Sequence, residues 1–68
     1  MNTELKHGQR WVAFGTIKVI EDRISRKNIV LIGDEMPNTN QIRTRFGHDI
    51  SIGSLPDGSV SINLYSQD

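Results

Sequence analysis

TIKVIEDRISRKNIVLIG, residues 16–33, is the stretch that decides the fold of this chain. In its first part, residues 16–19, polar and apolar side chains alternate, which is the period of a half-buried strand. Residues 29–32 are apolar at every position. They predict a central strand that is buried on both sides or lies in a tightly curled sheet. The polar segment between these two strands, residues 22–28, predicts an exposed hairpin tip.

The composition of the chain also favours strands over helices. Its 68 residues are 35% hydrophobic, and nine Ile and four Val form more than half of this apolar set, against four Leu, two Met and one Ala. β-Branched side chains pack well on a pleated surface and have a lower helix propensity. We therefore expect an all-β fold with a helix content near zero.

Further strands are predicted on both sides of the deciding stretch. The complete set lies at residues 10–14, 16–21, 29–32, 41–46, 49–55 and 59–65, and the first two can form one bent strand. Pro56-Asp57-Gly58 predicts the last hairpin turn, because proline presets φ at one corner and glycine accepts a positive φ at another. Five or six short strands fit one domain over residues 1–68. We expect a small SH3-like barrel or a strongly curled antiparallel sheet.

Three segments resemble the layout of small SH3-like proteins of phages and other mobile elements. They are GQRWV at residues 8–12, the glycine-led strand GTIKVI at residues 15–20, and the apolar strand at residues 29–32. The resemblance covers roughly residues 5–46. It implies an SH3-like fold and a chain encoded by a phage or mobile element, and it implies no catalytic residue.

Charge and residue types argue against several classes of protein. The eight basic and eight acidic residues cancel, so no global field draws the chain to nucleic acid or membrane. The chain has no cysteine, and His7 and His48 have no partners at zinc-site spacing. No stretch approaches the about 20 apolar residues of a membrane-spanning helix. We expect a cytoplasmic, non-enzymatic protein without metal or cofactor, and its thin core leaves a homodimer as an open alternative.

Two groups of cations are candidate binding sites for an anionic partner. On their predicted strand, Arg43 and Arg45 would point to one face about 7 Å apart, where they could grip phosphates or carboxylates. Arg23, Arg26 and Lys27 lie together on the predicted hairpin tip and could contact a phosphate backbone. The alternatives are surface ion pairs for the first group and a solvated turn that protects a sheet edge for the second.

Two aromatic residues are candidates for an interface. We expect Trp11 to belong to the core or to a subunit contact, with a ligand-binding platform as the alternative. Tyr65 is out of phase with Ile62 and Leu64 on its predicted strand, so we expect it to be exposed. The chain has four aromatic residues, which are too few to fill a core and also to form the stacking platform of a single-strand binder.

These features predict a small binding module without chemistry of its own. The first expectation is that it modulates a host or phage macromolecular complex by protein–protein contact, through the arginine strand face or an exposed sheet edge. The alternative is binding of DNA or RNA phosphates through Arg43, Arg45 and the basic tip. A third alternative is an enzyme with its site at an oligomer axis. It comes from residues 62–65, INLY, which are similar to a strand of plasmid-borne dihydrofolate reductases of the SH3-like type, with Asn63 in place of that family's glutamine.

Overall fold

Five antiparallel strands form one sheet in the computed structural model, which describes residues 4–64. The elements in chain order are β1 (Gln9–Phe14), β2 (Ile17–Arg23), β3 (Asn28–Ile32), α1 (Thr39–Phe46), β4 (Ile50–Ser54) and β5 (Val60–Leu64). Across the sheet the strands follow the order β1-β2-β3-β5-β4. β3 is therefore the central strand, as the sequence predicts, and β1 and β4 are the two edges.

The sheet is open. Within residues 4–64, β1 pairs with β2 alone and β4 with β5 alone, so the two edge strands do not meet. The prediction of an all-β fold is confirmed for the five-stranded sheet, whereas closure into an SH3-like barrel is not confirmed. The turn at Pro56-Asp57-Gly58 joins β4 to β5 as predicted, and Gly58 adopts a φ of +94° there.

The strand predicted at residues 41–46 is wrong, because these residues belong to the helix α1. Asn38 begins the helix with a capping box: its Oδ1 accepts a hydrogen bond from the Gln41 N–H at 2.9 Å, and Gln41 Oε1 accepts one from the Asn38 N–H at 3.2 Å. Ile42 and Phe46 are four residues apart, so they share one helix face. The alternating pattern of residues 41–46, which predicted a strand, is therefore also compatible with a helix that has one apolar face. No described segment is a helix long and apolar enough to cross a membrane.

The hydrophobic core lies between α1 and one face of the sheet, which we call the inner face. Its buried members are Val12, Phe14, Val19, Ile29, Leu31, Ile42, Ile50 and Ile62. Met36, in the loop before α1, packs against them. The rings of Phe14 and Phe46 join the first strand to the helix, with centroids 6.3 Å apart. The inner face is thus covered by one short helix and its preceding loop.

The opposite face of the sheet, which we call the outer face, has no helix or second sheet over it in the described part of the chain. On β3, Ile29 and Leu31 are buried on the inner face, but Val30 is only half-buried and Ile32 is exposed. β3 is therefore buried on one side, which contradicts the first of the two alternatives predicted for it, burial on both faces. Its two outer residues contribute apolar surface to the exposed side of the molecule.

Candidate interaction surface

An apolar row crosses three neighbouring strands on the outer face. Trp11 of β1 lies opposite Ile20 of β2, and Ile20 lies opposite Ile32 of β3. Trp11 is 51% exposed and Ile32 is 38% exposed, while Ile20 is half-buried between them. Residues paired across antiparallel strands point to the same face with their Cβ atoms about 5 Å apart. The three side chains therefore form one strip, the outer apolar row (Trp11, Ile20, Ile32).

Further apolar surface adjoins the row on the same half of the sheet. Ala13 and Val30 lie on the outer face two residues along from Trp11 and Ile32. Beside the row, a surface hollow of about 450 Å³ is lined by Trp11, Val12, Ala13 and Lys18. The outer face of β4 and β5 carries small or polar residues instead: Ser51, Gly53, Ser61 and Asn63. The apolar patch is thus confined to β1, β2 and β3.

Charges of opposite sign flank the row on β2. Lys18 precedes Ile20 by two residues and Asp22 follows it by two, so both side chains lie on the outer face about 7 Å from Ile20. Asp22 Oδ2 accepts a hydrogen bond from Gln9 Nε2 at 3.0 Å. Lys18 is exposed and makes no ion pair within the described residues. The outer apolar row therefore has a cation on one side and an anion on the other.

The inner face holds a buried carboxylate, Glu21, near the end of β2. It lies opposite Arg10 at the start of β1. Glu21 is 1% exposed, and its Oε1 lies 2.5 Å from Arg10 Nε while its Oε2 lies 3.4 Å from Arg23 Nη2. These three residues line a cavity of about 300 Å³ together with Gly8 and Gln9. The geometry supports a structural role, in which two arginines compensate the charge of a carboxylate at the edge of the core.

The predicted basic tip is observed as the turn between β2 and β3. Arg23 ends β2 and faces the buried carboxylate, whereas Arg26 and Lys27 are exposed in the turn and make no ion pair in the part of the chain described here. Ser25 Oγ accepts hydrogen bonds from two backbone N–H groups of the turn, at 3.3 and 3.2 Å. Ile24 is also exposed. The tip thus presents one exposed apolar residue beside two exposed cations.

Arg43 and Arg45 do not share a face, because they lie on α1 and not on a strand. Two residues correspond to a rotation of about 200° on a helix. Arg43 Nη1 donates a hydrogen bond to the backbone carbonyl of His48 at 3.1 Å. The guanidinium carbon of Arg45 lies 5.9 Å from the ring centroid of Phe14 and 6.0 Å from that of Phe46, within cation–π range. The prediction that Arg43 and Arg45 share one strand face is wrong, and anion binding by either arginine stays a prediction.

Of the two aromatic interface candidates, Trp11 is exposed on the outer face and Tyr65 lies outside the described residues. Sequence reasoning named Trp11 but missed Ile20 and Ile32. A signal for both was present in the sequence. Ile20 directly follows the apolar Val19, and Ile32 directly follows the apolar Leu31. Apolar residues at successive positions of an otherwise alternating strand place one of them on the polar face.

The hairpin turn between β4 and β5 contains a titratable group, Asp57, whose pKa is lowered by hydrogen bonds. Asp57 Oδ1 accepts hydrogen bonds from the Ser59 hydroxyl at 2.5 Å and from the Ser59 backbone N–H at 3.0 Å. These bonds, the hydroxyl first, hold the pKa of Asp57 below its ordinary value of 3.8. No group of three or more His, Cys, Asp or Glu side chains within residues 4–64 could hold a metal ion.

Comparison of the chain with protein-family models, with curated proteins and with solved structures finds no match in any of the three. Its function is therefore inferred from its own residues.

Proposed function

We propose that this chain is a small, non-enzymatic binding module that acts by protein–protein contact through the outer apolar row. The observation that carries the proposal is that Trp11, Ile20 and Ile32 form one continuous strip, with Trp11 and Ile32 exposed and Ile20 half-buried, on a sheet face that no described element covers. Contiguous exposed apolar patches rimmed by polar groups mark interaction sites. As part of the same proposal, the chain acts in the cytoplasm and modulates a host or phage macromolecular complex. The proposal also includes kinship with the small SH3-like proteins of phages and mobile elements.

The residue types in the row support a protein partner. Tryptophan is enriched among the residues that dominate binding energy, and such residues sit at the centre of a patch with a polar rim. Lys18 and Asp22 supply that rim here. Complete burial of a fully exposed isoleucine side chain stabilises a complex by roughly 1.5–3 kcal/mol. Ile32 is 38% exposed, so a partner that covers it gains roughly 0.6–1 kcal/mol from this residue.

A pair of matched substitutions tests this proposal. Ile32 and Leu55 are both aliphatic and are 38% and 37% exposed, but Leu55 lies beyond β4 and off the outer apolar row. The wild-type chain is used to capture partners from extract, the partner is identified and purified, and its affinity for the three chains is measured by calorimetry. We expect Ile32→Ser to weaken binding by about threefold or more, and Leu55→Ser to leave it unchanged. Equal effects of the two substitutions would contradict the proposal.

The basic tip favours a second candidate function, contact with nucleic-acid phosphates. Arg26 and Lys27 are exposed and free of ion pairs among the described residues, and Ile24 beside them is an exposed apolar residue of the kind that some proteins insert between base steps. Fluorescence anisotropy of labelled single- and double-stranded DNA and RNA, at low and at physiological salt, tests it. Phosphate contacts release counterions, so binding would weaken steeply with salt.

The control for that measurement is a cation in another part of the surface. Lys18→Ser removes an exposed charge at the opposite end of β2 from the tip, whereas Arg26→Ser together with Lys27→Ser removes the charges of the tip. Loss of binding in the double variant alone supports the tip as a phosphate contact. Flat titrations on every probe at low salt eliminate nucleic acid as a direct ligand and leave the protein-contact proposal in place.

A further inference from the structure

We infer that the partner of the outer apolar row is a second copy of this chain, packed face to face about a two-fold axis that runs along the row. The inference rests on the proposed function, because it concerns the same surface. Its own basis is the arrangement of charges around Trp11, Ile20 and Ile32, which is complementary to itself under one specific rotation.

The register of the strands defines that rotation. The outer apolar row runs across β1, β2 and β3, approximately perpendicular to the strands. On one side of it lie the paired residues Ala13 and Lys18, and on the other side lie the paired residues Gln9 and Asp22. A rotation of 180° about an axis along the row turns one outer face onto another. In the resulting dimer the row of one copy lies on the row of the other. The Ala13–Lys18 side of each copy then faces the Gln9–Asp22 side of its partner.

This exchange places opposite charges together. Lys18 and Asp22 are each two residues from Ile20 on β2, so they lie at equal distances of about 7 Å on either side of the axis. In the proposed dimer Lys18 of each copy faces Asp22 of the other, which makes two equivalent ion pairs. An axis parallel to β2 would instead bring Lys18 onto Lys18 and Asp22 onto Asp22. The charges therefore select one orientation of the two copies.

Other properties of the chain also fit a second copy. Its formal net charge is zero, so two copies do not repel one another at long range, and proteins near zero net charge associate readily. An isologous interface uses the same patch on both subunits and must be complementary to itself. The antisymmetric placement of Lys18 and Asp22 meets that requirement. Contact with an unrelated protein would not require it.

The size of the face sets the expected strength of association. Five strands spaced about 4.8 Å apart and about six residues long offer a planar area of about 500 Å², compared with about 800 Å² per partner in a standard interface. We therefore expect a reversible dimer whose population depends on protein concentration. Sheets that pack face to face lie about 10 Å apart, so Trp11 of both copies would be shielded from water.

Sedimentation equilibrium on the full chain, from about 10 µM to about 1 mM, tests the inference. Trp11 is the only tryptophan in the sequence, so its emission maximum, recorded over the same range, reports directly on burial of the row. We expect a monomer–dimer equilibrium accompanied by a blue shift of the emission. A wild-type chain that stays monomeric with unshifted emission at the highest concentration would overturn the inference.

Charge reversal tests the orientation. Lys18→Asp and Asp22→Lys should each weaken self-association by about tenfold or more, because each creates two like-charge contacts. The double variant should restore it. An equimolar mixture of the two single variants should associate more tightly than either variant alone, since both contacts are then of opposite sign. Lys27→Asp changes the net charge by the same amount as Lys18→Asp but lies on the tip, and it should have no effect.

The outcomes also separate this inference from the proposed function. If the wild-type chain is monomeric and Ile32→Ser still weakens binding of an identified protein partner, the second copy is rejected and the proposed function stands. If the wild type dimerises but the mixture associates no better than its components, the proposed orientation is rejected. If Ile32→Ser changes neither self-association nor partner binding, both proposals are rejected. Circular dichroism of each variant identifies loss of fold, and Lys18→Asp disturbs none of the hydrogen bonds found in the described residues.

Discussion

Removal of the positive charge of Arg10 should destabilise the fold more than removal of that of Arg23. Glu21 is almost fully buried, with Arg10 Nε at 2.5 Å and Arg23 Nη2 at 3.4 Å. The substitution Arg10→Met keeps most of the apolar stem and deletes the closer of the two cations. Arg23→Met makes the same chemical change on the longer contact. The pair is therefore a matched test of how strongly a buried carboxylate depends on its nearest partner.

The structure sets the size of the expected effect. Loss of one partner of a fully buried ion pair costs about 3–5 kcal/mol, but the Arg10 and Arg23 side chains are 64% and 47% exposed, so solvent screens part of the interaction. For Arg10→Met we expect a loss of about 1–3 kcal/mol, the cost of an under-satisfied buried acceptor. For Arg23→Met we expect about 0.2–1 kcal/mol. A chain of this length has a free energy of unfolding of about 3–10 kcal/mol, so the first loss is large.

Urea unfolding followed by Trp11 fluorescence measures both changes. The slope for a protein of this size is about 1 kcal/mol per molar urea, so Arg10→Met should lower the midpoint by about 1–3 M. A third variant, Glu21→Leu, checks the cause. Glu21 lies opposite Leu31 on the inner face, so leucine there extends the apolar surface and should match or exceed the wild-type stability.

A double-mutant cycle gives the result that would refute this reasoning. If Arg10→Met is costly because it leaves a buried carboxylate under-compensated, the same substitution should cost almost nothing in the Glu21→Leu background. An equal cost in both backgrounds would show that the Arg10 stem, and not its charge, stabilises the sheet edge. If Arg10→Met lowered the free energy of unfolding no more than Arg23→Met does, the shorter Arg10–Glu21 contact would contribute no more to stability than the longer Arg23–Glu21 contact.

Three further predictions concern the turns and caps. Asn38→Ala should cost about 1 kcal/mol in urea unfolding because it removes the helix cap, while Asn38→Asp, which keeps the acceptor, should retain most of the stability. The lowered pKa of Asp57 contributes stability above the unfolded value of 3.8, and this contribution is lost as pH falls through the folded pKa; thermal melts of Asp57→Asn should therefore decline less in acid than those of the wild type. Gly47→Ala should destabilise by about 1–3 kcal/mol, because Gly47 has a φ of +109° and only its backbone conformation opposes a side chain. Gly53→Ala, at an ordinary φ on β4, is its control and should leave the urea midpoint unchanged or raise it.

The strands were predictable wherever the alternation was long or a turn signal was specific. β2, β3 and the β4–β5 hairpin follow from residues 16–33 and from Pro56-Asp57-Gly58. The helix α1 was not predicted, because Ile42 and Phe46 satisfy both the strand period of two and the helical spacing of four. The capping residues Asn38 and Gln41 held the deciding signal, since a side chain that caps a helix start has no corresponding use in a strand.

The interaction surface was less predictable than the fold. Trp11 could be named from sequence as a core or interface residue, but its cross-strand partners depend on strand register, which the sequence alone leaves open. Arg43 and Arg45 show the opposite case. Residues two apart share a face on a strand, so the predicted anion site required this segment to be a strand. The segment is a helix, on which Arg43 and Arg45 point in different directions. A site inferred from residue spacing therefore depends on the secondary structure assumed for it.

The apolar residues on the outer side of β3 are not needed for the core of the described chain. Ile29 and Leu31 fill the inner side of this strand and are fully buried there, so polar residues at positions 30 and 32 would leave the core packing intact. Strands that are apolar at every position are typical of sheets with both faces covered. α1 has eight residues and covers the inner face alone. Val30 and Ile32 therefore point to a contact outside the described fold. The face that they share with Trp11 and Ile20 is where that contact is proposed.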